Sequence, residues 1–186
     1  MRFTATDYAE LLGLYLGDGH ITQMARTQRL RLMLDAKYPG IVHDAAQLIS
    51  RVAPENKVGR QFLHEGRMVT LHAYHGHWTC LFPQHGPGKK SDRRIVLEPW
   101  QEGLIASAPW AFLRGCIRSD GCFYVNRTGK YAYESYSFAN LSRDILRLFA
   151  STCALAGVDC RVYSKCVAIY RRASVALMLE HVGRKA

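Results

Sequence analysis

A chain of 186 residues that is 48% hydrophobic and 22% charged has ordinary globular composition, enough for one domain or two small ones, which excludes wholesale disorder. Its 25 Lys and Arg against 15 Asp and Glu leave a formal charge of +10, a surplus that repels itself unless solvent or a polyanion screens it; nucleic acid is the commonest such partner. No apolar run reaches membrane-span length, Met-Arg-Phe-Thr at the start carries no apolar signal core, and Cys80, Cys116, Cys122, Cys153, Cys160 and Cys166 contain no C-x-x-C pair, so a soluble cytoplasmic protein with reduced, mostly buried cysteines is expected.

The first apolar segment, residues 11–21, reads LLGLYLGDGHI and is predicted helical up to its Asp-Gly. A polar stretch leads into RLRLMLD, where Leu30, Leu32 and Leu34 alternate with Arg29, Arg31 and Met33, the pattern of a half-buried strand. From Pro39 to Val52 the residues Ile41, Ala45, Leu48, Ile49 and Val52 fall on one helical face, with Pro39 suited to the first turn. Two strand-like segments follow, Val58 to Leu63 and Met68 to Tyr74. The segment from Leu81 to Gln101 holds Pro83, Gly86, Pro87 and Gly88, then Lys89, Lys90, Arg93 and Arg94, and reads as a basic linker.

The pattern then starts again. Residues 113–123 read LRGCIRSDGCF, and both copies fit L-x-G-x-x-x-x-D-G-x-[IF], their acids Asp18 and Asp120 lying 102 residues apart. After Asp120-Gly121 come FYVN, a Gly129-Lys130 turn and YAYESYSFAN, a hairpin. A helix is predicted from Ser142, a plausible N-cap, to Ala156, carrying Ile145, Leu148, Phe149 and Leu155 on its apolar face. Strands at Cys160 to Tyr163 and Val167 to Arg171 and a last helix near Ser174 to His181 complete the copy. Each half thus reads helix–hairpin–helix–hairpin–helix. The predicted division is a first repeat at 1–80, the linker at 81–104 and a second repeat at 105–186.

Within the repeated segment, Gly13 and Gly17 share one helical face, as do Gly115 and Ser119. Glycine inside a helix costs about 1 kcal/mol against alanine. That cost is explained if small residues let two helix backbones approach closely across a pseudo-twofold axis. Asp18 and Asp120 end their helices, where the macrodipole disfavours an acid. If the helices cross through their small residues, the two carboxylates meet at one end of the axis, where they repel unless a cation lies between them. Hard divalent cations such as Mg²⁺ take oxygen ligands of this kind together with substrate phosphates, the arrangement of metal-assisted phosphodiester hydrolysis.

The two copies resemble the LAGLIDADG motif of homing endonucleases, and the resemblance covers nearly the whole chain, most of all in its small bacterial or phage free-standing form. It implies an α+β fold of two pseudo-symmetric αββαββα repeats, with a saddle-shaped DNA-binding sheet and core helices packed at a pseudo-twofold axis. It implies that Asp18 and Asp120 bind the catalytic Mg²⁺, with Mn²⁺ or Ca²⁺ able to substitute in binding, and that Gly17 and Ser119 beside them belong to the metal site. The motif's earlier acid is Leu16 in one copy and Arg118 in the other, a departure at a position that is generally not catalytic. The family also uses basic residues near the scissile phosphates. Lys165 is the candidate in the second half, with Arg67 or His64 as its counterpart in the first.

Strand alternation says which side chains would face a major groove. In the first half Ile21, Leu30, Leu32 and Leu34 turn to the core and His20, Thr22, Arg29 and Arg31 turn away. In the second, Phe123, Val125 and Phe138 are assigned to the core; Tyr124, Asn126, Tyr133, Ser135 and Ser137 face DNA, with Arg127 and Lys130 at the hairpin tip. Arg60, Arg161 and Tyr163 are added from the outer strands, and Lys89 and Lys90 from the linker. Some of these contacts would touch phosphate only, which positions without specifying.

Other chemistries have weaker support. His72, His75, His77 and Cys80 cluster without the spacing of a zinc finger. No G-x-S-x-G elbow is present, and HGPGKK lacks the rest of a P-loop. No splicing blocks flank the repeats, so an intein fragment is not expected. The reading is a site-specific, monomeric, Mg²⁺-dependent endonuclease acting on a long nonpalindromic double-stranded DNA site. The alternative is a non-cleaving transcriptional regulator or an RNA-binding intron maturase on the same fold.

Overall fold

The structure, a computed structural model, describes residues 3–185; Met1, Arg2 and Ala186 lie outside the described residues, and with them part of the N-terminal segment read as lacking a signal core. The first repeat runs α1 (Ala5–Asp18), β1 (Gly19–Gln23), β2 (Gln28–Asp35), α2 (Pro39–Val52), β3 (Gly59–Leu63), β4 (Met68–His75) and α3 (Trp78–Leu81). After a crossover containing α4 (Pro99–Ser107), the second runs α5 (Pro109–Asp120), β5 (Gly121–Thr128), β6 (Tyr131–Ala139), α6 (Arg143–Leu155), β7 (Arg161–Val162), β8 (Cys166–Ile169) and α7 (Arg172–His181). Each repeat is αββαββα, and each forms a four-stranded antiparallel sheet, in the orders β1-β2-β4-β3 and β5-β6-β8-β7.

Helix α1 starts earlier than its motif because Thr4 caps it, its hydroxyl accepting from Asp7 N at 3.0 Å while Asp7 reaches back to the cap. Every residue from Tyr8 to Leu16 is buried, so α1 has no solvent stripe and belongs to the centre of the molecule. It packs against α5 through the small residues. A Cβ on Gly13 would stand 2.5 Å from the Phe112 carbonyl oxygen and 2.8 Å from Cys116 N; one on Gly115 would overlap the Glu10 carbonyl. The contact is reciprocal, as two copies of one helix require. The glycine after each acid is also steric: a Cβ on Gly19 would lie 2.5 Å from Tyr15 Cα, and one on Gly121 2.5 Å from Ile117 Cα. Each strand can therefore fold back directly over the last turn of its helix.

The junction between α1 and α5 is not symmetric in charge. Buried Glu10 receives Arg114 at 3.0 Å and Arg118 at 2.7 Å, and Arg118 also pairs with Asp44 of α2 at 2.9 Å. Arg118, the departure from the motif, thus ties the second repeat to the first. With a buried carboxylate on one helix and two guanidiniums on the other, α1 matches α5 better than it would match another α1.

Several sequence expectations need correction. The segment 81–104 is not a plain basic linker: Phe82, Gln84, Ile95, Leu97 and Gln101 are buried. Gln101 donates to Tyr8 Oη at 2.6 Å, and Gln84 donates to Gln101 and to the Val96 carbonyl. Arg93 is spent on the carbonyls of Gln84, Gly86, Pro87 and Gly88. Val125 is 43% exposed and Leu155 64% exposed, because the β5–β6 ribbon and the end of α6 run past the core. Only Cys116 and Cys153 are buried; Cys80 and Cys122 are exposed. Among the described residues no helix is long and apolar enough to cross a membrane, and no group of three or more His, Cys, Asp or Glu could hold a metal, the His72–Cys80 cluster included. Trp78, whose indole donates to the Ala73 carbonyl at 3.0 Å, fills that corner instead.

Candidate active site and nucleic-acid interface

The two acids converge where α1 and α5 end. A Cβ on Gly17 would stand 3.1 Å from Asp120 Oδ2, which puts the Asp120 carboxylate beside the last turn of the opposite helix. Burial pushes the Asp18 carboxyl up to about 7, the charge on Asp120 adding to the effect and Lys185 and Lys90 opposing it. Asp120 is also raised by burial, but Asn140 donates to its Oδ2 at 2.8 Å and restrains the shift. The two acids also differ in their surroundings: Asn140, the residue after β6, holds the Asp120 carboxylate, whereas Ala36, the residue after β2, has no side-chain amide.

Two lysines stand at the same place. Lys90 Nζ donates to the carbonyls of Tyr15, Gly17 and Gly19 at 2.6, 3.2 and 2.6 Å. Lys185 Nζ donates to Ser119 at 2.5 Å and Gly121 at 3.1 Å. Each ammonium caps the C-terminus of a core helix, where the dipole favours a cation. Burial brings Lys90 down to about 8 and lowers Lys185 as well, with both carboxylates working against the fall.

Lys90 is thus corrected from a DNA-facing linker residue to a half-buried one whose ammonium is turned onto the end of α1, whereas Lys89 is exposed on the rim of the cleft. That cleft, about 550 Å³, is lined by Gly17, Lys89, Lys90, Asp120, Asn140 and Lys165, among others. Lys165 therefore lies near Asp120. The backbone bond from Asn140 N to the Lys165 carbonyl is mirrored by Ala36 N to Arg67, which makes Arg67 rather than His64 its counterpart. Asn140 and Lys185 escaped the sequence reading. Lys185 carries no motif, and only the equivalence of the two helix ends singles it out.

The chemistry of the donors suits a hard divalent ion. Two carboxylates meet at the axis, and each is raised by burial, so a cation between them would be welcome. The expected contribution of Gly17 and Ser119 fits less simply, since both carbonyls already accept from lysine ammoniums.

The sheet faces turned away from the core carry the candidate contacts. His20 pairs with Arg31 and Thr22 with Arg29 in register, and Arg31 also lies opposite His72. Buried Thr22 Oγ1, Arg29 Nε, Arg31 Nε and Thr70 Oγ1, all on this face, have no hydrogen-bond partner among the described residues. Burial and the neighbouring Arg31, Lys90, Arg93 and Arg29 hold the His20 imidazole below its ordinary value, which marks the face as electropositive.

On the second sheet Tyr124 pairs with Ser135, Asn126 with Tyr133 and Cys122 with Ser137; Arg161 lies opposite Ala168 and stacks its guanidinium 5.4 Å from the Tyr163 ring. Tyr131 and Tyr170, both at least half exposed, share this face and were not anticipated. Ser135 has the right parity but is 4% exposed. Lys130 sits in the turn with Gly129, whose φ of 59° suits glycine.

Two assigned contacts fall on the wrong side. Arg60 pairs with Leu71, sharing the core parity, and lines a cavity with Gln47, Ser50 and Arg51 of α2. The expectation misjudged the parity of β3, a strand whose apolar alternation is too short to read. Arg127 lies in β5 rather than at the tip, on the parity of Phe123 and Val125 and opposite Tyr124 and Asn126.

No family model matches the sequence, and no curated protein matches it. Solved structures do. The homing endonuclease I-WcaI bound to its DNA recognition sequence matches with a TM-score of 0.61 at 12% identity, over 98% of this chain and 82% of that one. I-DmoI in complex with DNA and Mn matches at 0.62 and 14%, over 96% and 97%. The N-terminal LAGLIDADG domain of DUF199/WhiA matches at 0.60 and 15%, over 98% and 86%. The chain therefore has the LAGLIDADG fold, in the single-chain form with two repeats.

Proposed function

We propose that this protein is a site-specific double-strand DNA endonuclease that uses a divalent metal at Asp18 and Asp120 and acts as a monomer. The observation that carries the reading is the meeting of two half-buried, raised carboxylates at the ends of the paired core helices, one from each repeat. A bound Mg²⁺ would polarise the scissile phosphate and supply a nucleophilic water. The chain's own residues hold it in register: Asp18 and Asp120 bind the metal, Asn140 fixes the Asp120 carboxylate, and Lys165 reaches the cleft beside it. Arg29, Arg31 and His20 on one sheet and Tyr124, Asn126, Tyr133, Arg161 and Tyr163 on the other meet the DNA. The orphaned donors at Thr22, Arg29 and Arg31 support this face as one that awaits an external acceptor. Unlike faces on the two halves suit a nonpalindromic site.

A second reading is a DNA-binding protein of this fold that does not cut. Two observations favour it: the fold is shared with the WhiA domain as well as with endonucleases, and ammonium groups already sit on the helix-terminal carbonyls. Plasmid-library cleavage separates the two. With Mg²⁺, wild type should cut at a defined long site, and Asp18→Asn and Asp120→Asn should nick or fail. Tight, salt-dependent binding with no cleavage under Mg²⁺ or Mn²⁺ would leave the second reading in place.

A further inference from the structure

We propose that Lys90 and Lys185 are resident counter-ions of the carboxylate pair, and that a divalent metal binds at Asp18 and Asp120 only by displacing their ammonium groups. This rests on the reading of those two acids as a metal site.

The placement is equivalent on both halves. Lys90 holds the carbonyls of Gly17 and Gly19, which flank Asp18; Lys185 holds those of Ser119 and Gly121, which flank Asp120. The route is equivalent too: Lys90 lies in the segment that follows α3, the last helix of the first repeat, and Lys185 in the segment that follows α7, the last helix of the second. Both ammoniums also lie against a ring, Lys90 at 5.0 Å from Tyr15 and Lys185 at 5.4 Å from Tyr38.

An ordinary lysine at a helix end extends its charge into water. These two turn inward, and Lys90 spends its three N–H donors on three carbonyls, as a small cation would fill a cradle of oxygens. Each ammonium is held on main-chain carbonyls rather than in an ion pair with Asp18 or Asp120, and its charge makes two half-buried carboxylates more tolerable before any metal arrives. A divalent ion entering the same space meets two like charges at close range in a partly desolvated site, and its affinity is lowered accordingly.

Mn²⁺ binding without DNA, read as free Mn²⁺ by electron paramagnetic resonance, tests this on the full chain. Lys90→Met and Lys185→Met should each bind Mn²⁺ roughly tenfold more tightly than wild type, and Lys90→Arg, which keeps the charge, should stay near wild type. A plain helix cap would instead lower the melting temperature and leave affinity unchanged. Unchanged or weaker Mn²⁺ binding in both Met variants, or no binding in any of them, overturns the proposal. Because the lysines serve different halves, Lys185→Met carries the test if Lys90→Met fails to fold. Adding Asp18→Asn and Asp120→Asn to a tight-binding variant should abolish binding; if the gain survives, the metal site itself has been misplaced, an outcome distinct from failure of the counter-ion role.

Discussion

Gly13→Ala places one methyl group where the backbones of α1 and α5 meet. The added carbon would stand 2.5 Å from the Phe112 carbonyl oxygen and 2.8 Å from Cys116 N, inside any sustainable contact distance, and both obstacles are backbone. Relief requires the helices to separate by roughly half an ångström or more, which forfeits about a quarter of the dispersion attraction along the seam. Overpacking of this kind costs about 1–3 kcal/mol, against about 1 kcal/mol gained from replacing glycine in a helix. Gly103→Ala in α4 is the control, because a Cβ there meets nothing within 4 Å. The same substitution should therefore act with opposite signs. Thermal unfolding should show Gly13→Ala melting below wild type, by up to about 8 °C where the backbone clash costs about 3 kcal/mol, and Gly103→Ala about 2–4 °C above it, at the sensitivity expected for a chain of this size. Equal shifts of one sign would refute the claim that close helix approach, rather than propensity, explains the motif glycines. Separation would also move Asp18 from Asp120, so DNA cleavage should fall further than stability.

The remaining predictions concern charge. The Asp18 carboxyl has its folded pKa raised to about 7 from 3.8, so the stability linked to its proton is present below about pH 4 and is lost as pH rises toward 7. Without metal, Asp18→Asn should therefore unfold at higher denaturant than wild type at pH 8, by on the order of 2–4 kcal/mol, with the gap closing at pH 4 and shrinking when Mg²⁺ is added; a less stable Asp18→Asn at pH 8 would contradict the burial argument. Fluorescence anisotropy on a mixed-sequence duplex should show Arg29→Ala and Arg31→Ala each binding about tenfold more weakly, with a shallower salt dependence. Arg60→Ala, on the α2 side of the sheet, should stay within about twofold, and an equal loss there would put the sheet's DNA face on the other side.

Much of this architecture is legible in the chain. Helix and strand periods, Pro39 at a first helical turn, Ser142 as a cap and Gly129-Lys130 as a hairpin turn are local features, and local features are written in local sequence. The repeated Gly and Asp-Gly spacing belongs to the same class, since helix geometry alone puts Gly13 and Gly17 on one face. Burial of Leu30, Leu32 and Leu34 followed from alternation because β2 is long enough to have one. In β3, with five residues of which none is buried, alternation has nothing to act on, and Arg60 was assigned to the wrong face.

What tertiary structure decided is what depends on distant segments meeting. Lys90 and Lys185 have no local signature; each becomes a site residue only because the crossover and the chain's far end return to the helix termini, where unpaired carbonyls accept them. The Glu10–Arg114–Arg118–Asp44 cluster joins residues up to 108 apart in sequence, so its role in matching one half to the other exists only in the assembled core. The sequence by itself determined two matched helices, each ending in an acid, because helical spacing is a property of the chain. The unequal surroundings of those acids, Asn140 beside one and alanine at the corresponding place beside the other, were decided by packing, because burial and electrostatics act through space.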